Sequence, residues 1–370
     1  MSEKNREREP LTYHLLSKYR GELFGISIIL IMMFHYFHAV IKLMHPGSRR
    51  YFYSYIFCQI ISSVGVEVFI FLSGMGLYFS YTKNKDIGAF FRKRFIRIFV
   101  PYLMYGTVIW FITDIIVAGK TFTRYIYDLS LFSFWVSGET RLWFIGAIAV
   151  FYVFFPLFYE VVTSKGYKRN TFLLIAFLIL AMYVSDTEKH GSFKINEIAV
   201  TRLPIFILGV FIGRLAFEKA RVKPWHIAVM AFTIALRLFS GIVAIIGKFD
   251  TLEGALKQIN KQFAAVMGNR MESSLFAIGF MAVCIALLAL IRWKPLHSFL
   301  ISAGGISLEL YMTHVTINGI FRTAGLELFD PLVYLVGLAI SVPLAILLHM
   351  ASGAVIKKLT SAEGYEKKGA

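Results

Sequence analysis

The hydrophobic pattern of the chain consists of long apolar stretches separated by short polar segments. An α-helix rises about 1.5 Å per residue, so about 20 apolar residues cross a hydrocarbon core about 30 Å thick. The pattern therefore predicts an all-α polytopic integral membrane protein with about ten transmembrane helices. We place them near Leu23–Ile41, Val64–Tyr81, Ile98–Ala118, Leu142–Thr163, Thr171–Ser185, Leu203–Phe217, His226–Gly247, Ser273–Ile291, Phe299–Phe321 and Pro331–Ile356.

Two of these segments, the fifth and the sixth, are short. Their helices must extend into flanking polar sequence or thin the membrane locally. Composition supports the membrane class, because 57% of the residues are hydrophobic and only 16% are charged, which leaves too little polar surface for a soluble globule. Cys58 and Cys284 form neither a disulfide framework nor a zinc-binding spacing, so we predict no metal site.

Basic residues indicate the orientation of the chain. If the N-terminus is cytoplasmic and ten helices alternate, the cytoplasmic segments hold most of the 39 Lys and Arg residues. We therefore expect both termini in the cytoplasm: an N-terminal segment over residues 1–20 without a signal-peptide pattern, a ten-span domain over 21–357 and a tail over 358–370. The net charge of +17 then faces anionic membrane lipids, and no nucleic acid is needed to explain it.

His35 lies deep inside the first apolar segment. Ionisable side chains in such segments are rare and usually mark a functional site. At this depth an imidazole can act as a general base toward a hydroxyl arriving from outside, or as a nucleophile that carries an acyl group. The alternative is a structural histidine that hydrogen-bonds a neighbouring helix. Spacings of three or four residues place Phe24, Ile28, Ile31, His35 and His38 on one helix face. His38, one turn further out than His35, either assists it or is an interfacial polar residue.

Glu67 lies near the start of the second predicted helix. Its carboxylate can orient a histidine and stabilise the protonated ring, and the structural alternative is a pair with a helix-capping backbone or with Arg237. The nearby small residues Ser73, Gly74 and Gly76 predict close helix packing rather than a nucleophile elbow.

Arg94 and Arg97 follow the second predicted helix at the cytoplasmic membrane surface. Side chains three residues apart project from the same helix face. Guanidinium groups in this arrangement can bind phosphates bidentately, and a phosphorylated donor such as coenzyme A is available on the cytosolic side. The alternative is an ordinary positively charged membrane anchor.

These motifs occur in an order that resembles the acyltransferase 3 family of membrane acyltransferases over roughly residues 20 to 350. They are the His35 segment, GVEVFIFLSG, FRKRFIRIFVPYL, RLWFIGAIAVFYVFFPLF and ISLELYMTH. The resemblance implies transfer of an acyl group, usually acetyl, from a cytosolic coenzyme A thioester to a sugar hydroxyl at the outer face. Acetyl-CoA or another acyl-CoA would be a donor substrate, and no bound cofactor is expected. The implied partners are membrane lipids, a polysaccharide or lipid-linked glycan, and glycan synthesis or export proteins.

The resemblance also assigns individual residues. The family's first-helix histidine matches His35, its paired arginines match Arg94 and Arg97, and a later histidine matches His314. Where the family commonly has Arg or Lys, eleven residues before the histidine, this chain has Phe24. Arg20 lies one turn earlier on the same helix face and is the expected replacement. The remaining candidates are weaker cavity-lining residues: His38, Tyr152, Arg237, Glu309 and His314.

The sequence thus predicts a membrane-bound O-acyltransferase of the plasma membrane that modifies a bacterial surface polysaccharide. One alternative is a proton-coupled secondary transporter, because its polar residues inside the membrane could mark a solute path. The chain shows neither two halves of repeated topology nor paired broken helices, which are typical of transporters. Another alternative is a non-catalytic subunit of a polysaccharide export system. Composition does not distinguish these classes, and only the order of the motifs favours the enzyme.

Overall fold

The computed structural model describes residues 11–61, 64–187, 191–249 and 269–366, and within these ranges the regular structure is helical apart from one isolated bridge between Thr12 and Arg221. The helices are α1 (His14–Lys18), α2 (Arg20–Leu43), α3 (Arg49–Ile60), α4 (Val64–Lys83), α5 (Ile87–Trp110), α6 (Phe122–Leu129), α7 (Phe132–Ser137), α8 (Trp143–Thr163), α9 (Tyr167–Thr187), α10 (Gly191–Val200), α11 (Leu203–Phe217), α12 (Pro224–Phe249), α13 (Asn269–Leu290), α14 (Lys294–Gly305), α15 (Ser307–Thr323) and α16 (Pro331–Glu366). A π-helical segment, Phe111–Val117, continues α5.

Eight segments of the described chain are long and apolar enough to cross a membrane, which confirms the predicted all-helical membrane architecture. They are Arg20–Leu43, Arg49–Lys83, Ile87–Val117, Trp143–Thr163, Asn196–Phe217, Pro224–Ile246, Glu272–Leu290 and Pro331–Ser361. The count of ten and the cytoplasmic location of both termini stay predictions. Residues 1–10 and 367–370 of the predicted terminal segments, and residues 250–268 of a predicted outer loop, lie outside the described ranges.

The ninth predicted helix, Phe299–Phe321, is wrong as one continuous element, because the chain breaks at Ile306 between α14 and α15. Gly304 and Gly305 precede the break, and glycine disfavours helix interiors. A side chain at Gly304 would collide with the Gly21 carbonyl, so glycine is also needed there for α14 to approach α2. The fifth predicted segment lies in α9, whose first turn carries Lys168 and Arg169.

The sixth segment extends into polar flanking sequence, as its short length requires. The candidate span runs over Asn196–Phe217 and includes a turn at Thr201 and Arg202 between α10 and α11. The turn places Arg202 in the protein interior, where its side chain is 4% exposed.

Glycines bring the central helices together. A side chain at Gly74 of α4 would collide with the Phe206 carbonyl of α11, and one at Gly209 of α11 would collide with the Phe71 carbonyl of α4. This confirms the predicted small-residue packing at Gly74, since close backbone approach is how membrane helices associate. Gly25 of α2 packs in the same way on the backbone of Leu300 in α14. Gly65 of α4 also packs on the Ser27 carbonyl of α2, so α2 is held against both α4 and α14.

Candidate active site

A cavity of about 570 Å³ lies beside the second half of α2. The predicted helix face is confirmed here, because Ile31, His35 and His38 all line this central cavity. Aromatic side chains form much of the remaining wall: Phe34, Phe69, Trp143, Phe144 and Tyr311. Because aromatic rings offer both apolar faces and polar edges, this lining suits a ring-shaped ligand that also carries hydroxyl groups.

His35 has a second histidine next to it. The ring centroids of His35 and His314 are 5.2 Å apart, with the planes inclined by 59°. His314 is 1% exposed, and its Nδ1 lies 2.8 Å from the Leu310 carbonyl oxygen. His38 stacks on Phe34 with a centroid distance of 5.2 Å. The structure thus brings together the first-helix histidine and the later histidine, which are far apart in sequence.

Arg202 is the cation next to Glu67. The Glu67 carboxylate lies 2.9 Å from the Arg202 Nε, and Ser274 donates a hydrogen bond of 3.2 Å to its other oxygen. Arg237, the partner considered from sequence, instead lies 3.3 Å from Glu272, which also accepts a hydrogen bond from Ser240. The central cavity therefore contains two buried cations, each beside a carboxylate.

Sequence analysis missed Arg202 and Glu272. Arg202 lines the cavity, donates from Nη1 to the Ile198 carbonyl, and places its guanidinium 5.1 Å from the Trp143 ring centroid. Each residue comes directly before a predicted helix, at Leu203 and Ser273 respectively. Extending both predicted helices by one turn at their N-terminal ends would have placed Arg202 and Glu272 inside the membrane, where ionisable residues are candidate functional residues.

A second cavity, of about 370 Å³, lies where α2 begins, between the end of α4 and the start of α5. We call it the basic pocket, because its lining includes Arg20, Lys83, Lys93 and Arg94. The Arg20 guanidinium packs directly on Gly76 of α4. Among the described residues, the Nε atoms of Arg20 and Arg94 are buried and have no hydrogen-bond partner. Buried donors of this kind are rare in folded proteins, and they fit an anionic ligand.

The other predicted site residues lie in different places. Arg97 does not line the basic pocket but is close enough to act on the charges of Arg20 and Arg94. Tyr152 is also an electrostatic neighbour of both arginines, and it lines neither cavity. Glu309 lies 3.0 Å from the Nδ1 of His349 on α16, and neither Glu309 nor His314 lines the central cavity.

Phe24 lies between the two cavities. The Arg20 guanidinium is 5.2 Å from its ring centroid, and the Phe69 ring, which lines the central cavity, is 5.1 Å away. Arg20 and His35 are separated by about 22 Å along α2, at about 1.5 Å per residue. The basic pocket and the central cavity are therefore successive sites along one helix, with an aromatic pair between them.

Comparison with known proteins identifies the family. The family model for an acyltransferase domain, acyltransferase 3, matches residues 25–350. The chain belongs to the acyltransferase 3 family. The match confirms the resemblance seen in the motifs, and the matched range of this acyltransferase 3 member begins directly after Phe24.

A distant relative agrees with this membership. The chain is 28% identical over 176 residues to the acyltransferase MdmB of Streptomyces mycarofaciens, a match that covers 40% of the chain and 46% of the relative. The chain therefore spans about half the length of this curated relative. No solved structure matches the chain significantly.

Proposed function

We propose that this acyltransferase 3 member transfers an acyl group, acetyl in the simplest case, from a cytosolic acyl-CoA to a hydroxyl of a polysaccharide or lipid-linked glycan outside the cytoplasm. The observation that carries the proposal is the arrangement along α2. At one end, the buried Nε atoms of Arg20 and Arg94 have no hydrogen-bond partner among the described residues, and His35 lines a cavity near the other end. The proposed cell location is the plasma membrane.

Donor binding uses the basic pocket. Arg20 and Arg94 hold the phosphates of coenzyme A, because guanidinium groups bind phosphate through charge-assisted, bidentate hydrogen bonds. The long pantetheine arm of the donor then extends along α2 past Phe24 toward the central cavity. A span of about 22 Å along the helix separates Arg20 from His35, which suits a donor whose reactive thioester is far from its phosphates.

Acyl transfer takes place at His35. As a general base, the ring accepts the proton of the acceptor hydroxyl while the hydroxyl oxygen attacks the thioester carbonyl. The carbon–sulfur bond then breaks, and the leaving thiolate takes the proton from His35. The alternative chemistry has His35 itself carry the acyl group. The acceptor ring stacks on the aromatic wall that includes Trp143 and Tyr311.

The transporter alternative deserves a direct comparison, because the described chain contains two interrupted segments, α10–α11 and α14–α15. Interrupted helices occur at transporter binding sites. Membership of the acyltransferase 3 family favours acyl transfer instead. The two functions differ in their products: acyl transfer gives an acylated glycan, whereas transport gives a solute that accumulates inside vesicles. Measuring both products in the same vesicles therefore distinguishes the two functions.

The decisive experiment measures glycan acylation by mass spectrometry or NMR in cells with and without the protein. His35→Gln keeps hydrogen bonding but cannot act as a base near neutral pH or carry an acyl group. We expect its transfer rate to fall by about 10²- to 10⁴-fold while the protein still inserts into the membrane. His45→Gln makes the same chemical change at an exposed histidine beyond α2 and is the matched control. Near wild-type acylation by His35→Gln would refute the proposed role.

A further inference from the structure

We propose that His314 is a positioning residue for His35, and that its Nε2 accepts a hydrogen bond from the His35 imidazolium that forms during acyl transfer. The inference rests on the proposed function. It assigns a specific task to a histidine that does not line the central cavity and that the proposed chemistry does not use.

The hydrogen bond of His314 to the backbone determines which nitrogen carries its proton. Nδ1 lies 2.8 Å from the Leu310 carbonyl oxygen, which can only accept, so Nδ1 must donate. In the neutral ring, Nε2 is then a bare acceptor. This Nε2 is buried and has no hydrogen-bond partner in the described part of the chain. A buried polar atom without a partner is costly and therefore needs an explanation.

The His35 ring, whose centroid lies 5.2 Å from that of His314, can supply the missing donor. Two imidazoles joined by an N–H···N hydrogen bond of about 2.9 Å have ring centroids about 5 Å apart. The observed separation of 5.2 Å equals this spacing, yet Nε2 of His314 has no hydrogen-bond partner among the described residues. A rotation of the His35 ring therefore completes the bond, and the helices need not move closer together.

The proposed step balances as follows. The acceptor hydroxyl gives its proton to one ring nitrogen of His35, and the other ring N–H donates to Nε2 of His314. The Nδ1–H of His314 continues to donate to the Leu310 carbonyl. The thioester carbon–sulfur bond breaks, and the proton on His35 passes to the departing thiolate. His314 neither gains nor loses a proton, and it acts in the way that the third group of a nucleophile–base system orients the base.

The surroundings of His35 make this help valuable. His38 on the same helix and Arg322 on α15 are the other titratable or charged groups that act on the His35 ring. The imidazolium that forms when His35 accepts a proton is a charge inside the protein, and such a charge needs a hydrogen-bond partner. A neutral acceptor at His314 stabilises that imidazolium without adding charge. Losing the acceptor should therefore move the acidic limb of the rate profile to lower pH and reduce the plateau rate.

The test compares two side chains of equal length at position 314. His314→Gln retains an oxygen acceptor for His35, whereas His314→Met fills similar space without a strong acceptor. We expect kcat to fall by about 10²-fold in the Met variant and by less than about tenfold in the Gln variant, with the half-saturation concentration for acetyl-CoA unchanged in both. The Met variant should also show the shifted acidic limb. If it does not fold, His314→Phe takes its place.

Two controls separate the possible failures. His349→Phe alters another histidine near α15, on the side of Glu309, and should leave the rate and its pH profile unchanged. In the double variant His35→Gln/His314→Met, the second change should cost nothing further, because His314 acts through His35. Equal rates and pH profiles for the Met variant and the wild type would overturn the inference alone. An active His35→Gln variant would overturn the proposed function as well.

Discussion

The two cavities of this acyltransferase 3 member differ in how their cations are neutralised. In the central cavity, Arg202 lies beside Glu67 and Arg237 lies beside Glu272. In the basic pocket, the guanidinium Nε atoms of Arg20 and Arg94 have no hydrogen-bond partner among the described residues. Both cavities contain arginine, but within the described part of the chain only the arginines of the central cavity lie beside carboxylates.

This difference indicates what each cavity can bind. A buried ion pair is balanced, so a ligand of the central cavity meets aromatic rings and polar groups without a fixed excess of charge. Buried cations that lack partners attract a ligand that brings negative charge of its own. The contrast supports a phosphorylated donor in the basic pocket and an uncharged hydroxyl compound in the central cavity.

The largest expected effect comes from breaking a pair in the central cavity. Arg202→Met should lower the free energy of unfolding by about 3–5 kcal/mol, because it leaves the Glu67 carboxylate buried without its cation. Thermal unfolding in detergent measures this loss. The double variant Glu67→Met/Arg202→Met should recover most of it, since it removes both charges. If Arg202→Met is as stable as the wild type, the Glu67 carboxylate does not need the Arg202 cation to remain buried.

The second effect concerns the basic pocket and should leave stability nearly unchanged. Arg94→Ala should raise the half-saturation concentration for acetyl-CoA by about 10- to 100-fold, since a hydrogen bond to a charged group contributes about 1.5–3 kcal/mol. Transfer rates in membranes over a range of donor concentrations provide the measurement. Arg169→Ala removes an exposed cation and is the control. An unchanged donor dependence would mean that the cluster is only a membrane anchor.

A smaller effect tests the separation between the cavities. Phe24→Ala removes the ring between Arg20 and Phe69, and such aromatic contacts contribute about 0.5–1.5 kcal/mol. We expect thiol release from acetyl-CoA in the absence of acceptor to increase about 2- to 10-fold, because water reaches the thioester more easily. Phe24→Leu should remain close to the wild type. If Phe24→Ala releases thiol at the same rate as the wild type, the Phe24–Phe69 ring pair does not separate the basic pocket from the central cavity.

The smallest effect lies at the start of α2, next to the basic pocket. His297 on α14 places Nδ1 3.0 Å from Glu22 and Nε2 2.8 Å from the Ile291 carbonyl, and the hydrogen bond with Glu22 raises the pKa of this histidine above its usual value. A raised histidine pKa stabilises the fold fully below the unfolded value of about 6.5, and this contribution is lost as pH rises through the folded value.

The melting temperature of the wild type relative to His297→Gln should therefore decrease as the pH rises above the unfolded value of about 6.5. Thermal unfolding at several pH values measures the difference. The same series with Glu22→Gln should show a flatter dependence on pH, because the carboxylate partner is gone. If the melting-temperature difference between the wild type and His297→Gln instead grows with pH, His297 is not the stabilising cation.

Sequence patterns predicted more of the fold than of the site. Apolar stretches located eight segments that can cross a membrane, because hydrocarbon admits few other arrangements of the backbone. Motif order was enough to recognise the family, which the match over residues 25–350 confirms. Helix periodicity alone placed His35 and His38 on one face of α2, and both line the central cavity.

Tertiary structure decided which polar groups meet. The pairing of Glu67 with Arg202, the approach of His35 to His314 and the break at Ile306 all depend on contacts between helices that are distant in sequence. A linear pattern records the period and length of each helix, but not its rotation or its neighbours. Those follow from close packing at residues such as Gly25 and Gly209, where the absence of a side chain lets two backbones touch. For this protein, sequence determined the helices and their family, and packing determined the two cavities.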